Sequence, residues 1–436
     1  MRSATPRPLA GLGALALLVA VTACGRCSPG GEPGAGSSRM LTSLPVGSAA
    51  GETIFSPDGG HVGIVARTDR GATLFLDGRQ GATYEDVRGL AFRTGGSGYA
   101  FVARRAGAEF VVAEGAEGVH YDAVGTTLFA PDGRVVYSAR RGDGWVIVVG
   151  SRETAVAASS DPLPILSPDG RRIVFAGQRT GTGKSHLRAC SLELTACVDT
   201  PDHDGLTAAR RDGSGLHLAY VVEDAGRQAV ASVTLDDPGL AERSSAAYDG
   251  VAAVALSDGG GHLAFVATRG TDTVLVKDGV ELPLPGAETT LELVVGRSGR
   301  VLCSVIVNGK VLAFLDGKQV GGEYEGIYSP VFSPDGSRFA FVADRGPKSF
   351  LVVNDGEGPS FDKVVTPRFT PDGTRIVYRA RSDGRRFVVV ADSVGKTLRE
   401  HARHEAVFDV TIAPDGKSIG YGVVTEQGVW WRVERL

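Results

Sequence analysis

Residues 324–356 read YEGIYSPVFSPDGSRFAFVADRGPKSFLVVNDG, and this stretch predicts the fold of most of the chain. Its centre is a Phe-Ser-Pro-Asp-Gly turn at residues 332–336, in which Pro presets φ, Asp bonds the backbone two residues on, and Gly takes the positive φ. Residues 338–343 and 349–353 have the composition of strands. The stretch therefore predicts a three-stranded meander, with room for a short fourth strand before the next copy.

The same turn recurs along the whole chain. Full Pro-Asp-Gly copies end at Gly59, Gly133, Gly170, Gly336, Gly373 and Gly416, and four weaker copies lie between them. The ten motifs begin at Phe55, Phe92, Phe129, Leu166, Ala209, Leu256, Val295, Phe332, Phe369 and Ile412. A period of about 40 residues built from strands is typical of β-propeller blades. Helical repeats fit poorly, because the apolar residues alternate and Gly-rich turns interrupt them.

The predicted fold is therefore all-β, a β-propeller of about ten four-stranded, blade-sized repeats. Propellers usually have four to eight blades. Ten repeats leave three arrangements open. The chain forms one large ring, or two smaller rings that meet near residues 236–247, the longest interval, or an array in which weak units such as the one at Val295 are incorporated irregularly. The absence of a Pro- or Ser-rich linker at residues 236–247 favours one ring.

The repeats also resemble a known family. Besides the FSPDG core, a Y-D/E-x-V stretch precedes the motif and A-x-R or a similar sequence follows it, as in the WD-like, PD-G-containing repeats of TolB-type propellers. The Y-D/E-x-V stretches begin at Tyr84, Tyr121, Tyr248 and Tyr324, the last with Ile in place of Val. The resemblance covers roughly residues 50–436. It implies the propeller fold and says little about function.

The N-terminus predicts export. Arg2 and Arg7 precede an apolar run at residues 9–23 that is too short to span a bilayer, so residues 1–23 are interpreted as a signal peptide. The run ends in Val-Thr-Ala-Cys, which resembles the lipobox of bacterial lipoproteins and implies that Cys24 is lipidated. The alternative is an ordinary signal peptide with Cys24 free. Gly25 rather than Asp after the cysteine favours the outer membrane.

Residues 24–50 are predicted to be the lipidated cysteine and a flexible tether rich in Gly, Ser and Pro, followed by propeller repeats at 51–436. The apolar patch at residues 40–46 is expected to form the outer strand of the last blade, beside the chain's end at 428–436. A blade completed from both termini would close the ring without an open edge.

Charge and cysteine content limit the function further. Without Arg2 and Arg7 the chain has a net charge of about −6, which does not favour nucleic acid binding. Cys190 and Cys197 are predicted to form a disulfide across a hairpin, as suits an exported protein. Cys303 is expected to be a buried thiol. No role is assigned to Cys27.

Two local motifs resemble chemical sites. Residues 177–185, GQRTGTGKS, resemble a phosphate-binding loop, but the spacing is one residue too long and a strand follows, so a hairpin loop is the better interpretation. Residues 400–405, EHARHE, are the nearest approach to a metal site, but i and i+3 side chains of a strand point to opposite faces, which favours a solvated connection. We predict no catalytic residue, no metal ligand and no cofactor.

Arginine recurs where the second strand of a repeat ends. This arginine set comprises Arg67, Arg104, Arg140, Arg179, Arg269, Arg345 and Arg381, with Arg105 and Arg141 beside two of them. Loops after second strands share one face of a propeller and the Pro-Asp-Gly turns share the other, which predicts one basic and one acidic face. Two interpretations stay open: the arginines bind an acidic partner, or each pairs with an Asp or Glu of a neighbouring blade.

The functional prediction is an exported, lipid-anchored β-propeller that acts as a protein-binding scaffold in the bacterial cell envelope, on the periplasmic side of the outer membrane or at the cell surface. Its predicted partners are envelope proteins or an anionic envelope polymer. The alternative is a propeller that binds or cleaves a carbohydrate or small ligand at its central channel. Clustered ionisable groups in the channel would favour that alternative, and a channel without them would favour the scaffold.

Overall fold

The computed structural model describes residues 37–42, 49–56, 61–94, 98–425 and 428–436. These residues form forty β-strands, which are arranged in ten four-stranded sheets. Within the described part of the chain, no helix has the length and apolar character needed to cross a membrane. The predicted signal peptide, Cys24, Cys27 and the turn that ends at Gly59 lie outside the described residues.

The strands follow one another as blades in chain order, apart from β1 (Ser37–Thr42), which belongs to the last blade. Blade 1 comprises β2 (Ala49–Phe55), β3 (Val62–Thr68), β4 (Gly71–Leu76) and β5 (Arg79–Tyr84). Blade 2 comprises β6 (Asp86–Phe92), β7 (Tyr99–Arg105), β8 (Ala108–Ala113) and β9 (Ala116–Tyr121). Blade 3 comprises β10 (Ala123–Phe129), β11 (Val135–Arg141), β12 (Gly144–Val149) and β13 (Arg152–Val156). Blade 4 comprises β14 (Ile165–Leu166), β15 (Arg172–Gln178), β16 (Ser185–Ser191) and β17 (Val198–Asp199). Blade 5 comprises β18 (Gly205–Arg211), β19 (His217–Asp224), β20 (Arg227–Thr234) and β21 (Arg243–Ser244). Blade 6 comprises β22 (Gly250–Leu256), β23 (Leu263–Arg269), β24 (Asp272–Lys277) and β25 (Val280–Pro283).

Blade 7 comprises β26 (Thr289–Val295), β27 (Val301–Val307), β28 (Lys310–Leu315) and β29 (Lys318–Tyr324). Blade 8 comprises β30 (Gly326–Phe332), β31 (Phe339–Arg345), β32 (Lys348–Val353) and β33 (Gly356–Glu357). Blade 9 comprises β34 (Lys363–Phe369), β35 (Arg375–Ser382), β36 (Arg385–Asp392) and β37 (Thr397–Glu400). Blade 10 combines β38 (Ala406–Ile412), β39 (Ser418–Thr425) and β40 (Gly428–Arg435) with β1. Every hydrogen-bonded pair of neighbouring strands within these sheets is antiparallel.

The hydrophobic core is divided into ten clusters, and each joins two successive blades. The tenth cluster joins the first blade to the last: Ile64 and Phe75 of blade 1 share it with Val429 of β40. Beside it, the ring of Phe55 lies 4.5 Å from that of Trp431. The blades therefore form one closed ten-bladed ring, and the alternative of two smaller rings is wrong.

The Pro-Asp-Gly turns join first to second strands as the sequence predicts. In blade 8, the N–H of Gly336 donates to the carbonyl of Ser333 at 2.8 Å, and Gly336 has a φ of 69°. The Asp335 carboxylate accepts the N–H of Ser337 at 3.1 Å. Hydrogen bonds from Ser333 and Ser337 hold the pKa of Asp335 far below its usual range. The aspartate is therefore a fixed part of the turn.

The last blade is completed from both ends of the chain, which confirms the predicted closure. β1 pairs antiparallel with β40, with Met40 opposite Trp430. The strand runs from Ser37 to Thr42, earlier than the predicted patch at 40–46 and inside the segment interpreted as a tether. Its pairing covers the edge of β40, which would otherwise be free to pair with another molecule.

Both cysteine predictions that the structure describes are confirmed. Cys190 and Cys197 form a disulfide, and it links β16 to the segment just before β17. Cys303 is a buried free thiol in β27, and burial raises its pKa to about 12. A thiol that is both buried and protonated at neutral pH does not act as a nucleophile.

Removal of β1 tests the closure. A chain that begins at residue 43 leaves β40, with Trp430 and Trp431, as an open edge, so we expect it to self-associate. A matched chain that begins at residue 37 should stay monomeric. Light scattering coupled to gel filtration measures both masses, and two monomeric chains would show that β1 does not protect this edge.

Candidate functional site

A buried tyrosine stands at the entry to four of the blades. Tyr84, Tyr121, Tyr248 and Tyr324 are each at most 5% exposed, and they are the tyrosines of the Y-D/E-x-V stretches. The ring of Tyr324 meets that of Phe341, in the second strand of blade 8, edge-on at 5.8 Å between centroids. Each hydroxyl donates to a glutamate of the fourth strand: Glu117, Glu153, Glu281 and Glu357 respectively, at 2.9 to 3.3 Å.

An arginine completes each of these contacts. In blade 8, Arg345 Nη2 lies 2.7 Å from Glu357 Oε1, and the guanidinium stands over the Tyr324 ring at 5.5 Å. Arg105, Arg141 and Arg269 make the same two contacts in blades 2, 3 and 6. The hydrogen bond from Arg345 lowers the pKa of Glu357, so the carboxylate is ionised when it accepts the hydroxyl. We call this unit of tyrosine, glutamate and arginine the anchor triad.

The acidic residue after the tyrosine also has a structural role. The Glu325 carboxylate accepts the N–H of Gly346, in the turn after the second strand, at 3.0 Å. Asp122 and Asp249 accept the N–H groups of Gly142 and Gly270 in the same way, both at 2.6 Å. The Y-D/E pair thus fixes the blade entry and the neighbouring turn together.

The arginine set is largely neutralised by these acids. Arg269 and Arg345 belong to anchor triads, Arg67 pairs with Asp86, Arg104 lies 3.7 Å from Glu85, and Arg179 lies 3.0 Å from Asp202. Within the described residues, Arg140 and Arg381 form no ion pair. The face that carries the arginines also carries their partners, so the expectation of one basic and one acidic face is wrong.

The expected pairing between neighbouring blades is also only partly right. Arg67 of blade 1 does pair with Asp86 of blade 2. Arg269 and Arg345 instead pair with the fourth strand of their own blades, twelve residues further along the chain. Whether any of these arginines binds an acidic partner stays a prediction.

The centre of the ring is lined by the first strands, because the first strands of successive blades contact one another along much of the ring. Near the middle of these strands, and two residues before β14 in blade 4, lies a series of exposed uncharged residues, which we call the central rim: Gly89, Thr126, Leu163, Ala208, Ala252, Leu291, Tyr328 and Thr366. Leu163, Leu291 and Tyr328 are 51%, 45% and 44% exposed. Among the first-strand residues whose burial is described, the exposed ionisable ones are Glu52, Arg210, Arg211 and Arg368, and the Glu52 carboxylate accepts the N–H of Gly89 at 3.1 Å.

The backbone of the central rim is irregular in the same way in most blades. Nine first strands shift register by one residue at this point, which is a β-bulge. Ala208, Ser329 and Thr366 have φ values of 51° to 52° there, in the left-handed region that disfavours residues with a Cβ. Such bulges re-aim side chains and are frequent at binding sites.

The two motifs that resemble chemical sites occupy structural positions. Residues 179–184 form the loop of the β15–β16 hairpin, with Gln178 opposite Ser185, as predicted. His401 and His404 are buried, which makes the predicted solvated connection wrong for both. His401 hydrogen-bonds Glu434, and His404 exchanges backbone hydrogen bonds with Arg386. The described residues contain no group of three His, Cys, Asp or Glu side chains placed to hold a metal ion.

Comparison with known proteins bears on the fold alone. No family model matches the sequence, and no curated protein matches it. Among solved structures, the chain is similar to a eukaryotic initiation factor, with 13% identity over 77% of this chain and 96% of that one and a TM-score of 0.45. It is also similar to TolB from Acinetobacter baumannii (12% identity, 73% and 80% covered, TM-score 0.30) and to an oligogalacturonate lyase in complex with manganese (14%, 71% and 87%, 0.33).

The anchor triad can be tested with two tyrosines of the same region. Tyr324→Phe removes the hydrogen bond to Glu357 in a buried setting, so we expect a loss of about 1 kcal/mol in the free energy of unfolding. Tyr328→Phe, four residues away and 44% exposed, should leave stability unchanged. Urea denaturation of both variants measures the difference. Equal midpoints would remove the tyrosine hydroxyl from the account of blade packing.

Proposed function

We propose that this chain is an exported, lipid-anchored scaffold that binds another protein of the bacterial cell envelope through its central rim. The lipobox-like sequence before Cys24 supports the anchor, and the disulfide between Cys190 and Cys197 supports an oxidising compartment. These features agree with the periplasmic side of the outer membrane or the cell surface. A closed, rigid ring suits a protein whose role is to present a surface.

The observation that carries the proposal is the exposure of large apolar side chains at the centre of the ring. Leu163, Leu291 and Tyr328 leave about half of their surface in contact with solvent. Isolated exposed leucines are ordinary, but these three lie on one ring of uncharged residues. Aromatic and aliphatic anchors inside a less apolar surround are typical of the energetic centre of protein–protein interfaces.

Two neighbouring blades provide the most concentrated part of this surface. Leu291 of blade 7 and Tyr328 of blade 8 occupy equivalent positions, since each is the third residue of the first strand of its blade. Lys363 Nζ of blade 9 lies over the Tyr328 ring at 4.8 Å, which limits the movement of the tyrosine. A side chain that is already held in place loses less conformational entropy when a partner binds.

A protein partner is favoured over an anionic polymer. The polymer would have to draw Arg179, Arg269 and Arg345 away from carboxylates at 2.6 to 3.1 Å. On the central rim, Tyr328 contacts Lys363 Nζ at 4.8 Å and Gly89 donates its N–H to the Glu52 carboxylate at 3.1 Å, and neither contact is an ion pair. The uncharged character of the rim also suits an apolar segment of a protein better than a charged saccharide.

Site-specific photo-cross-linking in intact cells tests the proposal. A cross-linking amino acid is placed at Leu291 or Tyr328 of the full-length chain, and at Val280 as a matched control. Val280 is 61% exposed on β25, the fourth strand of blade 6, which forms the edge of that sheet opposite to the first strand β22. We expect both central positions to capture the same envelope protein and Val280 to capture none of it. Leu163→Ser should reduce that capture several-fold, because it removes a third apolar contact.

Two outcomes would contradict the scaffold proposal. Capture of no protein from either central position would leave the rim without a protein partner. Equal capture from Val280 would show non-specific contact. In either case, the carbohydrate- or small-ligand-binding alternative would be taken up by screening glycans against the purified chain.

A further inference from the structure

A histidine stands at the entry to blade 5, where four other blades have the anchor tyrosine. His203 pairs with Ser185 of β16 through two backbone hydrogen bonds, at 2.7 and 2.8 Å. Tyr248 pairs with Gln228 of β20 in the same way, at 2.7 and 2.9 Å. Asp204 follows the histidine, as an acid follows the tyrosine in the Y-D/E-x-V stretches. His203 therefore occupies the position of the tyrosine.

This histidine connects two blades. Its backbone belongs to blade 4, because both of its backbone hydrogen bonds go to β16. Its side chain is buried and reaches two acids of blade 5. His203 Nδ1 lies 2.6 Å from Asp224 Oδ2, at the end of β19, and Nε2 lies 3.0 Å from Glu242 Oε1, just before β21. The link between the two blades at this point passes through the imidazole.

The two contacts need one more proton than a neutral imidazole holds. A carboxylate only accepts hydrogen bonds, and a neutral imidazole donates from one nitrogen alone. Without the second proton, a nitrogen lone pair would face a carboxylate oxygen at one of these distances, and the two would repel. Burial alone lowers the pKa of His203, but the hydrogen bonds with Asp224 and Glu242 outweigh burial and raise it above its ordinary value.

The two carboxylates form no other ion pair with a described residue. Tyr220 of β19 donates its hydroxyl to the second oxygen of Glu242, whose side chain is only 5% exposed. Arg227 stands opposite Asp224 in the strand register, but its guanidinium lies 3.6 Å from Asp249. The imidazole is therefore the positive group that both carboxylates share.

The charges that blade 4 brings to this point are already paired. Asp202, on one side of the histidine, lies 3.0 Å from Arg179, and Asp204, on the other side, lies 3.0 Å from Lys184. His186 Nδ1 lies 3.2 Å from Asp202, and burial lowers the pKa of this imidazole, so it is neutral at neutral pH. The carboxylates that depend on the added proton thus come from blade 5.

A second histidine at a blade entry shows that position alone does not have this effect. His404 exchanges backbone hydrogen bonds with Arg386 at the entry to blade 10, but its Nε2 makes no hydrogen bond with any described residue. Burial and then the nearby Arg432 lower the pKa of His404. The two blade entries therefore respond to pH in opposite directions, and the carboxylates of blade 5 make the difference.

We propose that His203, Asp224 and Glu242 form a pH-sensitive latch, which joins blade 5 to blade 4 while the imidazole holds both protons and releases it when one proton is lost. The first strand of blade 4, β14, has only two residues, so little inner-strand contact supplements the latch. Leu187 of blade 4 and Tyr220 of blade 5 still share an apolar cluster, so the release is a local opening. This proposal is independent of the central rim and of the scaffold function.

The latch is closed in acid and opens as the pH rises. A group whose pKa is raised by folding stabilises the fold fully below its pKa in the unfolded chain, which is about 6.5 for histidine. That stabilisation is lost as the pH rises through the higher pKa of the folded protein. The latch therefore weakens on the alkaline side of the ordinary histidine range.

Hydrogen–deuterium exchange at the imidazole Cε1, read by mass spectrometry of peptides, tests the protonation of His203 in the full-length chain. We expect its titration midpoint to lie above that of the same residue in the urea-unfolded chain. The midpoint of His404 should move the other way. A midpoint of His203 at or below its unfolded value would overturn the proposal.

Backbone hydrogen exchange of the same chain tests the opening. We expect the protection of residues 185–191 and 203–211 to fall several-fold between about pH 6 and about pH 8.5, after correction for the intrinsic exchange rate. Residues 326–332, at the entry to blade 8, are the internal control. Burial raises the pKa of Tyr324 above its ordinary value, so this anchor keeps its proton throughout and its protection should stay constant.

Two variants assign the response to the imidazole. His203→Tyr restores the residue of other blade entries, and His203→Gln keeps a polar side chain that does not titrate. The pH-dependent fall in protection should be absent from both. His404→Gln is the matched control at another blade entry and should keep the fall. Equal behaviour of the blade 5 and blade 8 entries in the natural chain, or a fall that persists in both His203 variants, would overturn the latch.

Discussion

At four of its ten blade entries, the propeller depends on a tyrosine that is buried between successive blades and whose hydroxyl donates a hydrogen bond to a glutamate. The ring of Tyr324 packs against Phe341, and its hydroxyl reaches the Glu357 carboxylate that Arg345 holds. A buried hydroxyl without a partner would weaken the packing, so the glutamate and the arginine follow from the tyrosine. The unit recurs at four of the ten blade entries, and the propeller is assembled from nearest-neighbour interfaces.

Closure imposes a second constraint, which falls on the ends of the chain. Nine blades take all four strands from one continuous segment, and blade 10 takes its outer strand from residues 37–42. The ends of the described chain are therefore bound to each other. The cluster that joins Ile64 to Val429 connects blade 10 to blade 1 as the other nine connect their neighbours. A propeller of this width needs that last contact, since an open array would expose an apolar blade face at each end.

Local features of the fold were predictable from sequence because their causes are local. The Pro-Asp-Gly turns, the four-stranded repeats, the hairpin disulfide and the terminal strand each follow from a few adjacent residues or from the period. The sequence placed the acidic partner of Arg345 in a neighbouring blade, because Glu357 stands twelve residues away in a two-residue strand with little pattern of its own. The sequence also shows which blade entries lack the tyrosine: no Y-D/E-x-V stretch precedes Leu166, the start of the motif in blade 4. The residue that stands in place of the tyrosine there is seen only in the strand register, which puts Val156 opposite Trp145.

The central claim is that the tyrosine and the glutamate of a triad act as one unit across a blade. A double-mutant cycle with Tyr324→Phe, Glu357→Ala and the combined variant measures that coupling directly, by urea denaturation. The account predicts a coupling free energy of about 1 kcal/mol, because each single change already removes the shared hydrogen bond. Strictly additive effects of the two substitutions would contradict it.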